Sequence, residues 1–413
     1  MSGTTTVAKR SFTLLSLAMV AAMSAACHDH DHDHEEATSL VFTVSGEETA
    51  ISGYGFPPAP GSTFAVVDGW EIRFDRVLVT IDDLELSATP DLSPTDQSQA
   101  GEPVARAKGP WAVNLSVAGQ VGTPPEAKPA SLRLQGEGHD HGGPPATGRG
   151  SAEDSSIRLV TFTGQNLKGN AEFAPDQRYA FGYRLVPASA AANRVNLDAA
   201  AGADYDEMVQ KGWTTLYVGT ATFKGTNCTS GDASYDFSKL PTSVKFRLGF
   251  ATPTTYRNCQ NSDLTGKAFD GEEFQRGIQV VKGRANYAQI TFHLEHAFWD
   301  SVVHDQARMF FDQMAAAAQG GLVTSEELKK LDPAGFVDAQ GNPLPWRSCL
   351  DASPAPSGQR KFNTSSVPLV GQNGNASQGL RHYEDYVAYQ VSTMGHLNAD
   401  GLCAPQREFP SPR

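Results

Sequence analysis

Cysteine is scarce in this 413-residue chain, with five in all, and no two stand in a C-x-x-C pair. The lack of that spacing disfavours a thiolate zinc site. Long hydrophobic runs are missing too: the longest uncharged apolar and small-residue stretch, residues 12 to 26, falls short of the roughly 20 residues a membrane-spanning helix needs. Cations are in deficit, 33 Lys and Arg against 46 Asp and Glu, for a net charge of −13. Such a surface repels phosphate backbones, so nucleic acid is not a partner. Neither a nucleophile elbow nor a phosphate-binding glycine loop occurs in a suitable context, which removes the commonest hydrolase and nucleotide-dependent classes.

What the chain does contain begins with Lys9 and Arg10, followed by the uncharged run and then Ser24, Ala25, Ala26 and Cys27. This is the three-part form of a secretory signal, so residues 1 to 26 stand outside the fold. The end, MSAAC, resembles the lipobox of bacterial lipoproteins. The resemblance covers about the first 27 residues. It implies that Cys27 is diacylated, becomes the new N-terminus and anchors the protein to a membrane. His28, rather than Asp, after the cysteine implies the outer membrane, facing the periplasm or the cell surface. Four cysteines then remain for an oxidising compartment: Cys228, Cys259, Cys349 and Cys403. Of the three connectivities open to them, sequence neighbours are expected to pair, Cys228 with Cys259 and Cys349 with Cys403.

Glycine (39) and proline (25) punctuate many short Val/Ile/Phe-rich runs, the composition of a loop-rich β protein. Strands are expected at 39–46, 70–87, 110–117, 156–162, 178–186, 214–223, 243–250 and 287–296. In 70–87, Trp70, Ile72 and Phe74 alternate on one face, and the parity changes across Asp75 and Arg76, as a bulge requires. Helices are expected at 203–212, with Gly212 as the stop, and at 301–318, 324–332 and 380–397. Thr324 and Glu327 have capping-box spacing. The expected architecture is mainly β: a polar tether over 27–38, an antiparallel β-sandwich-like body over 39–300, and a loop-and-helix region over 301–413, α+β overall.

Six of the eleven histidines lie in H-D-H tracts: His28, His30, His32 and His34 in the tether, and His139 and His141 in a Gly/Pro-rich loop. Alternating imidazole and carboxylate suits zinc, and next copper or nickel. A flexible tract must be ordered to bind, so it binds weakly and fits capture and hand-over; a hydrophilic spacer is the plainer reading. The sharper cluster spans residues 291 to 305. There His293 and Glu295 share a strand face, His296 lies at the strand end, and His304 and Asp305 open the next helix. Together they offer three imidazoles, with Glu295 or Asp305 as fourth ligand or supporting hydrogen-bond partner. The alternative is a buried corner whose polar groups satisfy one another beside Phe298 and Trp299. H-E-x-x-H spacing is absent, which disfavours zinc proteases. His382 and His396 read as structural or surface residues, either able to complete the site from the third helix.

The leading expectation is therefore a lipid-anchored exported protein that binds a divalent transition metal, zinc first, in concert with a metal transporter or outer-membrane receptor. Ligation should weaken below about pH 6 as imidazoles protonate. A surface module binding a partner protein or glycan comes second. A metal-dependent hydrolase with Glu295 or Asp305 as base comes third, so a non-enzyme is favoured.

Overall fold

Residues 70 to 87 form one 18-residue strand, Trp70–Ser87, and the rest of the fold is arranged around it. This computed structural model describes residues 37–60, 62, 64–117, 156–174, 177–350, 354–364 and 382–408. Cys27, the 28–34 tract and His139 and His141 lie outside the described residues. The expected parity change is present: pairing with the Thr215–Phe223 strand slips between Phe74 and Arg76, so Asp75 is the extra residue of a bulge. Val77, Val79 and Ile81 are buried on one face and Leu78 and Thr80 on the other.

The strand is central to an eleven-stranded sheet; a five-stranded sheet faces it, ordered Gly401–Leu402, Gly395–Leu397, Ala285–Phe292, Ser39–Ser45, Ile157–Thr163. Leu40, Phe42 and Val44 alternate inward and are fully buried. Phe42 stacks on Phe181 of the larger sheet at 4.9 Å, and Phe292 meets Tyr183 edge-on at 6.3 Å. Two sheets thus share one core, the mainly β, sandwich-like arrangement expected. Three pairings depart from antiparallel: Ser39–Ser45 runs parallel to Ala285–Phe292, Ser243–Phe250 to Leu322–Thr324, and Trp111–Asn114 to Asn193–Arg194. The outer face at Leu78 is covered by the helix Ala199–Lys211 through Tyr205 and Met208. That helix begins earlier than periodicity suggested because Asp198 caps it, accepting from the Ala201 N–H; Gly212 ends it in the left-handed region.

After residue 300 the expected long helix is broken. A 3-10 turn, His304–Gln306, is followed by extended backbone, and a helix forms only over Asp312–Ala317. The cause is competition for backbone donors. Asp300 accepts from the Arg308 N–H, and the buried Asp68 carboxylate accepts from the N–H groups of Phe311 and Asp312. Asp68 and Asp312 form a buried ionic knot with Arg347 and Arg360, into which Trp70 donates its indole N–H at 2.8 Å. The Thr324/Glu327 capping box forms as expected, on the short helix Ser325–Leu328. The third helix is Tyr383–Val391; the chain then enters the strands Gly395–Leu397 and Gly401–Leu402 of the smaller sheet and Ala404–Arg407 of the larger.

All four remaining cysteines are oxidised, but the pairing differs from the expected one: Cys228 bonds Cys349, and Cys259 bonds Cys403. Sequence proximity loses to strand pairing. Thr229–Ser230 lies against Arg347–Ser348, and the Gln260 N–H donates to the Leu402 carbonyl. Both bridges therefore close long loops, of 121 and 144 residues' separation.

Candidate metal centre

The Ala285–Phe292 strand ends one residue before the first histidine of interest. His293 is the extended residue leading a 3-10 helix, Leu294–Phe298, so His293 and Glu295 do not share a strand face as expected. The tight turn instead brings His296 back toward His293. Across the sheet edge, Thr291 pairs with His396 on Gly395–Leu397, which brings a third imidazole to the same place. Ligand nitrogens of His293, His296 and His396 lie within 4.8 Å of one another. Tetrahedral zinc sets its nitrogens about 3.3 Å apart, within the spread of this group. His293 and His396 stack at 4.2 Å, and His296 stands edge-on to both, at 5.8 and 5.9 Å. All three are buried, with His296 fully so.

The protonation of His296 follows from its neighbours. Its Nδ1 lies 2.8 Å from the Thr393 hydroxyl, and that hydroxyl donates its own proton to the Gln390 carbonyl at 2.7 Å. Thr393 must then accept from Nδ1–H, which leaves the lone pair on Nε2. Among the described residues Nε2 has no hydrogen-bond partner, although it is buried. Burial first, then the neighbouring His304, His293 and His396, holds the His296 pKa well below the usual imidazole value. The ring is neutral, in the tautomer and protonation state that a metal requires. Trp299 stacks on its face at 3.8 Å.

Carboxylates surround His293. Glu47 and Asp400 lie 3.8 and 3.9 Å from its Nε2, and Glu295 lies 3.7 Å from its Nδ1. Tyr54 donates its phenol O–H to Glu295 at 3.0 Å. Burial, then the charges of Glu295 and Asp400, pushes the Glu47 carboxyl up to about 8, even though 36% of its side chain still meets solvent. Two of these carboxylates are delivered by left-handed backbone: Glu47 itself has φ +59°, and Asn398 and Ala399, just before Asp400, have φ +50° and +66°. Such conformations are costly for residues with a Cβ and cluster at ligand-holding sites. A cleft of about 460 Å³ opens beside the imidazoles, lined by His293, His304, His396, Glu295, Trp299 and Asp400 among others.

His304 and Asp305 sit on the 3-10 turn, not in the first turn of a helix. The His304 ring is 5.0 Å from His296 and 6.5 Å from His396, and it packs on Trp299 at 4.9 Å, so it borders the group of three without belonging to it. His382 precedes the third helix, its N–H bound to Asp385, and is not in the group. His396 joins the group, as the sequence allowed, but from a buried strand rather than from the third helix. Gly395 beside it was a usable signal. A Cβ there would lie 2.3 Å from the Tyr183 hydroxyl and 2.7 Å from the Tyr256 ring. Only glycine lets the strand that carries His396 lie so close. No family model, no curated protein and no solved structure matches this chain.

Proposed function

We propose that this chain is an exported, lipid-anchored protein that binds a divalent transition metal, zinc first and copper or nickel next, for capture or hand-over to a transporter or outer-membrane receptor. His293, His296 and His396 supply three nitrogens, and the carboxylates of Glu47, Glu295 and Asp400 stand around His293 as supporting partners. The observation that carries this reading is the His296 ring. Its Nδ1–H is fixed by Thr393 and its buried Nε2 lone pair meets no donor among the described residues, in a group of three imidazoles. The tracts at 28–34 and 139–141 would collect the ion more weakly.

The test is zinc titration of the mature protein, of a variant lacking residues 28 to 34, and of His296→Ala and His396→Ala. One tight equivalent is expected to survive the deletion and to vanish in both alanine variants while their folds persist by circular dichroism. An unchanged tight equivalent in either alanine variant would sink the centre. Loss of all binding with the deletion would leave the tether as the only metal-binding element.

A further inference from the structure

A metal held by His293, His296 and His396 would border a cleft, because His293 and His396 are among its walls; His296 is fully buried and does not line it. The cleft's volume, about 460 Å³, is far larger than one bound water requires, about 30 Å³. It falls within the range of small-molecule sites, about 300–1,000 Å³. Among the described residues no lysine or arginine lines it, whereas Glu273, Glu295 and Asp400 do, together with the side chains of Trp299 and Tyr256. A low-dielectric cleft with that lining disfavours an anion and favours a neutral or cationic planar group.

From this we infer that the bound ion keeps a coordination position open to the cleft and takes there a small, neutral or cationic nitrogen-donor ligand, of the imidazole or amine class. Protein, ion and ligand then form a ternary complex. This rests on the metal reading above and adds what the ion exchanges with. An open position with such selectivity is what transfer needs. A partner's nitrogen donor would then enter at the open position while the imidazoles still held the ion, so the ion would not be released bare.

Cobalt(II) reports coordination number by its visible bands, so the 28–34 deletion variant would be loaded with one equivalent and titrated with imidazole and, separately, with azide. Imidazole is expected to shift the bands saturably, and azide to require at least tenfold higher concentration. Glu273→Gln, on the rim, is expected to narrow that gap while leaving cobalt stoichiometry unchanged. Bands that neither ligand moves would mean a closed sphere and overturn the inference, with the metal centre intact. Azide binding as tightly as imidazole would overturn the selectivity. Failure to load cobalt at all would instead remove the metal reading on which the inference stands.

Discussion

Thr393 is the residue that fixes the tautomer of His296. Its hydroxyl has one proton, already given to Gln390, so it can only accept from the imidazole. Removing that acceptor while keeping the shape isolates the effect. Thr393→Val is expected to lower zinc affinity about 10- to 100-fold, the usual cost of losing a ligand's hydrogen-bond partner, with little change in melting temperature. An affinity equal to that of the parent would mean that the tautomer is not held by Thr393. At this scale the sequence was partly readable. His293 and His296 were found because they lie three apart on a short segment. Glu47 and Asp400 were not, because left-handed backbone near each one, invisible to hydrophobic periodicity, turns it toward His293.

Among the elements, strands were easier to read than helices. The bulge at Asp75 follows from the parity of Trp70, Ile72, Phe74, Val77, Val79 and Ile81, and the structure places it there. The 301–318 helix failed for a reason no local pattern contains, since Asp68, far away in the chain, takes the N–H groups of Phe311 and Asp312. His396 escaped for the same kind of reason, as its strand exists through pairing with Ala285–Phe292. Gly395 is the weak point of that strand. Gly395→Ala puts a methyl against Tyr183 and Tyr256, which are buried and stack on each other at 4.7 Å. Overpacking of this kind costs about 1–3 kcal/mol. The variant is expected to melt earlier and to lose the tight zinc equivalent, and calorimetry with a zinc titration reads both. Full retention of zinc binding would show that the strand tolerates the shift.

For the whole molecule, the ionic knot sets a pH dependence. Burial first, then the charge of Asp312, pushes Asp68 up to about 6 from an ordinary value of 3.8. Between those values the folded protein holds a proton that the unfolded chain has given up. The contribution is therefore present at the acid end of the window and is lost as pH rises through about 6, by at most about 1.4 kcal/mol per pH unit. Asp68→Asn keeps the shape and removes the titration. The stability of the parent relative to the variant, from urea melts, is expected to fall steadily from pH 4 to pH 6; a difference that stays flat would show that Asp68 is ionised throughout.

The placement of His396 has a temporal side. A chain is made from its N-terminal side, so His293 and His296 exist well before the Gly395–Leu397 strand that supplies the third imidazole. Until that strand docks beside Phe292, the growing chain has two of its three nitrogens and no cage. On the metal reading, a firmly held ion is then a mark of completion. A truncated or misfolded copy would leave its metal exchangeable, and only a finished molecule would withdraw it from the surroundings.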